Sequence, residues 1–208
     1  MTSEERREQR YQRRKAARLK KRQETIGKYD DFERVASLNS LYEAAREASK
    51  GVDWKASVQR YNSLLLFNIS KTRAELLAGK DIRRGFICFD ICERGKLRHI
   101  KSVHFSERVV QKSFCTNIIY PTFPRSLIYD NGASQQGKGT QFATNRLTTH
   151  LRRHFRKYGR EGGILLIDFS DYFGNVAHEP LFEIYRQIFT DPRVIALGMS
   201  FISAFGDK

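Results

Sequence analysis

Asp168 stands at the end of four consecutive aliphatic residues, Ile164 to Ile167, and within five positions is followed by Asp171, Tyr172 and Phe173. A carboxylate is a hard oxygen donor, and one leaving a rigid strand is held in a fixed place, as a divalent cation requires. The aliphatic run is the pattern of a strand buried on both faces. Plainer uses exist for the same residues: Asp168 as a strand-end cap and Phe173 as a core ring.

Two other groups are candidates for chemistry. Gly132, Gly137 and Lys138 satisfy the G-x-x-x-x-G-K spacing of a phosphate-binding loop, and ILLID downstream then reads as a magnesium-binding strand. That predicts a P-loop phosphotransferase. Against it, Ala133 to Gln136 lack the inner glycine and proline that let backbone N–H groups wrap phosphates, and no βαβ series precedes the loop. His150 and His154 lie four apart on a predicted helix and share a face that zinc could use, but Arg152, Arg153, Arg156 and Lys157 would repel a cation. That helix reads as a basic surface facing a nucleic-acid backbone.

The elements that must position these residues follow from pattern. Asp31 to Ser49 and Trp54 to Ala78 have helical spacing. Phe86 to Cys92 and Leu97 to Val103 flank the turn-like ERGK as a β-hairpin, which puts Lys96 and Arg98 beside its basic tip. A helix capped by Ser106 runs to the region of Pro121 and Pro124, and 126–130 reads as extended. A glycine-rich loop leads to the basic helix Gln141 to Tyr158, the aliphatic strand comes next, and helices over 179–189 and 191–205 follow. Cys88 and Cys92 fall in the apolar run FICFDIC and are expected to be small buried side chains. With Cys115 they make an odd number, which points to reduced thiols, and no apolar run of about 18 residues is present, so a cytoplasmic protein with no membrane span is expected.

The chain of 208 residues carries 38 Lys+Arg against 23 Asp+Glu, a net charge of +15. A surplus of that size speaks for a polyanionic partner, nucleic acid first. Its first twenty-five residues hold ten Lys/Arg and four Asp/Glu with almost no apolar stripe. Such a segment is either a solvated tail or an arm that grips phosphates and loosens as salt rises.

Three ordered blocks resemble the reverse transcriptases of bacterial retroelements and group II introns. Asp168, Tyr172, Phe173, Val176 and His178 fit the family's first carboxylate motif, D-x-x-x-[FY]-[FY]-x-x-[IV]-x-H. LRHIKSVHFSERVVQ is similar to its R-P-L-G-I-P…D-R-V-V-Q block, with Arg98 and Arg108 ten residues apart and Val109, Val110 and Gln111 following; His99, Ile100 and Lys101 depart from it. NGASQQGKGTQFATNRLTTHL is similar to the small-residue loop that opens the next helix.

The resemblance implies an α+β fold: right-hand polymerase fingers and an incomplete palm, with an N-terminal basic helical region. The expected division is a basic arm at 1–30, a helical region at 31–80, fingers at 81–160 and a partial palm at 161–208. It implies that Asp168 and the Phe169 carbonyl hold two Mg²⁺ ions, and that Asp171 and Tyr172 offer backbone N–H groups to the triphosphate of a dNTP. Phe173 would then sit as the steric gate against a 2′ hydroxyl, while Lys96 and Arg98 clamp the triphosphate from the fingers. His178 is expected to be structural. The partners implied are an RNA template and a primer strand. The family's remaining carboxylates come from Y-x-D-D on a later hairpin, and the one Tyr-Asp-Asp here, Tyr29 to Asp31, precedes every other motif and suits a helix cap better. The chain is therefore expected to be inactive alone and to need a second chain or downstream domain carrying Y-x-D-D and the thumb. The alternative is a nucleic-acid-binding protein of the same fold that performs no chemistry.

Overall fold

A computed structural model describes residues 2–124, 127–170, 172 and 174–204. The chain opens with α1 (Ser3–Tyr29), capped by Thr2, whose side chain accepts the Glu5 N–H while Glu5 reaches back to the Thr2 N–H. The first expected core helix divides into α2 (Phe32–Ala36) and α3 (Leu38–Ser49), because Ser37 is extended and its hydroxyl caps Ser40 N at 3.1 Å. The second divides at Leu64 into α4 (Ala56–Ser63) and α5 (Leu65–Leu77).

Strands β1 (Phe86–Glu93) and β2 (Lys96–Val103) form the expected antiparallel hairpin, with Glu93 opposite Lys96 and Phe86 opposite Val103. Arg94 and Gly95 both have positive φ, 50° and 76°, the two-residue turn whose twist matches paired strands. Helix α6 (Phe105–Phe114) follows, capped by His104 rather than the expected Ser106; the imidazole accepts the Ser106 N–H, so the helix starts one residue before that serine. Its helical run closes between Pro121 and Pro124, as expected. A π-helical turn, Cys115–Ile119, carries the axis into the short α7 (Tyr120–Thr122), which includes Pro121. Residues 127–130 are bend and turn rather than extended, and Ser126 lies outside the described residues. Then come α8 (Thr140–Tyr158), α9 (His178–Ile188) and α10 (Pro192–Ser203).

The core is helical. Val35 and Ala36 of α2, Leu41 and Ala45 of α3, Ile69 of α5, Val109 and Val110 of α6, Ile118 and Val194 close around one another with essentially no exposure. Ser113 is sealed among them and spends its hydroxyl on the Val35 carbonyl at 2.8 Å. Two contacts anchor the hairpin and α1 to this core. Buried Glu107 of α6 accepts the Arg84 N–H at 3.4 Å just before β1. At the other end, the Asp30 carboxylate accepts three hydrogen bonds through one oxygen, from Thr190 N (2.5 Å), Thr190 Oγ1 (2.8 Å) and Asp191 N (3.1 Å). Asp191 returns the contact by accepting Phe32 N at 3.3 Å while capping α10, and Arg193 pairs with Glu33 at 2.8 Å. The Tyr29-Asp30-Asp31 triplet is thus a clasp, with Asp31 the cap of α2 as expected.

Two expectations about burial fail for one reason. The run Ile164 to Ile167 is not a strand: it has no regular structure, and its four side chains are 76, 83, 90 and 65% exposed. A strand exists only where neighbours receive its N–H and C=O groups, and the only sheet among the described residues is the two-stranded hairpin. Cys88 and Cys92 are likewise exposed rather than buried, because no second layer covers their face of the hairpin.

Candidate nucleotide and nucleic-acid site

Side chains on a strand alternate, so Ile87, Phe89, Ile91 and Glu93 share one face of the hairpin with their cross-strand partners Ser102, Ile100, Arg98 and Lys96. Lys96 and Arg98 therefore project from the free end of the face whose base is apolar. Arg98 is exposed and pairs with Glu93 at 3.5 Å, a contact worth little in water and easily exchanged for a phosphate. Lys96 is exposed as well. On the opposite face His99 pairs with Asp90.

The base of that same face meets α4 across a cleft of about 530 Å³. Ile87 and Phe89 line one side of it, Val58 and Tyr61 the other, and the cations Lys55, Arg60 and Arg108 share it with no aspartate or glutamate in the lining. Arg108 donates to Ser102 Oγ at 3.2 Å, which holds its guanidinium against the hairpin. Burial, with the Arg84 charge nearby, pushes the His104 imidazole below its ordinary range at the cleft's edge. Lys55 and Arg60 at α4 lie about fifty residues before Arg108 and the hairpin, so pattern reading singled out Arg108 but not the cleft that gathers the three.

Asp168 is exposed, and its carboxylate has no hydrogen bond or ion pair among the described residues. The Phe169 and Tyr172 rings lie near each other, centroids 6.0 Å apart, and a turn closes with Asn175 N donating to the Tyr172 carbonyl at 3.2 Å. His178 is buried at the start of α9, its ring 6.0 Å from that of Phe182. Asp171 and Phe173 lie outside the described residues. No hydrogen bond or ion pair joins Lys96 or Arg98 to Asp168 among the described residues, so the structure does not bring the hairpin cations and the carboxylate into contact. Among the described residues no three His, Cys, Asp or Glu side chains converge as metal ligands. The Asp168 carboxylate and Phe169 carbonyl are nonetheless hard oxygen donors of the kind Mg²⁺ takes.

The glycine loop has its own occupation. Lys138 donates to the Tyr129 carbonyl at 2.7 Å and stands 5.1 and 5.0 Å from the Tyr129 and Phe142 ring centres. Its ammonium is thus held by the protein, and among the described residues no strand leads directly into the loop, so the two structural features of a phosphate-binding loop are lacking here. The histidine pair is also divided. His150 bonds Asp130 at 2.6 Å beside Arg146, and hydrogen bonds from both hold the Asp130 carboxyl below its usual range. His154 donates instead to the Glu161 carbonyl at 2.7 Å. No described helix is long and apolar enough to cross a membrane. No protein-family model matches the chain, and no curated protein does.

Proposed function

We propose that the chain is the fingers and first palm portion of an RNA-directed DNA polymerase, which binds an RNA template, a primer strand and a dNTP. The observation that carries this reading is the order and spacing of the three blocks from Arg98 to His178, which share one polymerase arrangement. Two structural facts support it. Lys96 and Arg98 share the free end of one hairpin face, where a triphosphate can reach both. Asp168 keeps its carboxylate exposed and unpaired, available as a ligand.

In the complete enzyme, bound Mg²⁺ would activate the primer 3′ hydroxyl and stabilise the leaving pyrophosphate. The residues of this chain have the supporting tasks: Asp168 and the Phe169 carbonyl hold the ions, Asp171 and Tyr172 orient the triphosphate, Phe173 excludes a 2′ hydroxyl, and Lys96 and Arg98 neutralise phosphate charge. The remaining carboxylates must come from a Y-x-D-D in a second chain or downstream domain, since the chain's own Tyr29-Asp30-Asp31 is committed to the clasp. The test is primer extension on an RNA template. The chain alone should incorporate no dNTP, co-expression with a Y-x-D-D partner should restore Mg²⁺-dependent synthesis, and Asp168→Ala should remove it. Robust synthesis by the Asp168→Ala chain would overturn the reading.

A second reading, a non-catalytic nucleic-acid-binding protein of the same fold, is favoured by one observation: the cationic cleft beside α4 contains no acidic residue and lies away from Asp168 in its lining. It predicts that Asp168→Ala leaves nucleic-acid binding and every cellular effect intact.

A further inference from the structure

Helix α1 contributes almost nothing to the core. Ile26 is its one buried residue, and residues 2–21 are all exposed. Yet its base is firmly held, since Asp30 closes its end and locks onto the start of α10. The result is a stiff rod that stands off the protein.

Its charges are sorted by face. Arg7, Arg10, Arg14, Lys15 and Arg18 recur at helical spacing and line a single open groove with Tyr11 and Leu19. At 3.6 residues per turn the five cations fall within an arc of about 140° and extend about 17 Å along the axis. None of the five pairs with a carboxylate among the described residues. Glu8, the one acidic residue between Arg7 and Arg18, lies at the flank and accepts from Gln12 at 2.5 Å. Five guanidinium and ammonium groups held together without counter-charge repel one another, and the arrangement is relieved by an anion of matching spacing.

We propose that α1 is a rigid cationic arm whose Arg7–Arg18 face lies along the phosphate backbone of a nucleic-acid duplex. The proposal rests on the nucleic-acid reading above and deepens it by naming the form bound. Three considerations select a duplex. About 17 Å of duplex presents about five phosphates on each strand, one for each cation. Proteins that hold single strands supply several aromatic platforms for stacking, and this face has one ring, Tyr11. An anionic membrane surface would require an apolar face to bury, and the exposed large apolar residues of α1 are Tyr11 and Leu19 alone.

The test compares two variants of equal charge in the full-length chain: Arg7→Gln/Arg14→Gln/Arg18→Gln on the proposed face, and Arg6→Gln/Arg13→Gln/Lys20→Gln on the far side. Glutamine keeps helix propensity, and circular dichroism verifies that both fold. Fluorescence anisotropy with a short labelled DNA duplex, an RNA–DNA hybrid and a single-stranded RNA is followed from about 50 to about 200 mM KCl. Losing three duplex phosphate contacts should flatten the slope of log K against log salt by about 2.7, at about 0.9 per contact, for whichever duplex the arm takes. The far-side variant should change it by less than one contact's worth. Equal losses from the two variants would overturn the proposal, as would single-stranded RNA bound as tightly as either duplex, or binding to phosphatidylserine vesicles that depends on the same three arginines. Binding of this kind needs neither Asp168 nor dNTP. Failure of a Y-x-D-D partner to restore primer extension, with the slope difference intact, would therefore count against the polymerase reading alone.

Discussion

Replacing Asp30 by alanine removes the single oxygen that three donors share. Hydrogen bonds to a charged acceptor are worth about 1.5–3 kcal/mol each, but their sum overstates this clasp. Asp30 is only half-buried, so water replaces part of what is lost, and its other oxygen, Oδ1, is buried without a partner, which already costs the native state something. A net loss of about 2 kcal/mol is expected, because water recovers part of three strong bonds but not the geometry that ties α1 to α10. In a domain of this size that lowers Tm by roughly 4–8 °C. Urea and thermal unfolding followed by circular dichroism read the change directly. Asp30→Asn, which keeps an acceptor for the Thr190 and Asp191 N–H groups, should fall between the two. Because the clasp pins the base of α1, the Ala variant should also flatten the salt dependence of duplex binding. Stability within about 0.3 kcal/mol of the parent would show that the three bonds exchange freely with water, and the account of α1 as a fixed rod would fall with them.

Other expectations are simpler. Gly198 sits inside α10 where an added Cβ would come within 2.4 Å of the Tyr185 ring, so Gly198→Ala should cost about 1–3 kcal/mol by overpacking despite alanine's better helix propensity; unfolding in urea measures it. Cys88 and Cys92 should react quickly with a chromogenic thiol reagent without denaturant, while Cys115, half-buried and pushed up by that burial, should lag. Burial acts to raise the Asp191 carboxyl, but hydrogen bonds from the Arg193 and Phe32 N–H groups outweigh it and hold the group below its ordinary range. The stabilisation is thus present above the ordinary aspartate range and disappears as pH falls through the lowered folded value, so Asp191→Asn should flatten the acid side of the stability profile.

Which parts of this fold can be read from sequence depends on how local their causes are. The hairpin is legible because its turn carries its own instruction: Gly95 takes φ of 76° at no steric cost, and Arg94 before it accepts 50°. Helices α8, α9 and α10 are legible from periodicity and their flanking breakers. The break at Ser37 is not, because the apolar spacing continues across it and only the serine's hydroxyl, capping Ser40, ends one helix and starts the next. Asp31 is legible as a cap two residues from the N–H it accepts. Its neighbour Asp30 is not, since its partners lie 160 and 161 residues away. At the candidate site the split is similar. Lys96 and Arg98 land on one face because alternation is local, whereas the cleft that brings in Lys55, Arg60 and Arg108 depends on how α4 docks against the hairpin.

The aliphatic run before Asp168 is the sharpest instance of this dependence. Burying an aliphatic side chain of this kind gains about 1.5–3 kcal/mol, so Ile164 to Ile167 together leave roughly 6–12 kcal/mol of burial unrealised. Composition fixes that quantity, and it is why the run reads as an interior strand. Realising it takes a neighbouring edge that accepts the backbone N–H and C=O groups, and the described sheet ends at the hairpin. The polymerase reading and the exposed run therefore make the same demand. The carboxylates that Asp168 lacks in the proposed metal site would arrive on a β-hairpin, and a β-hairpin is also the element that would give Ile164 to Ile167 a sheet to join.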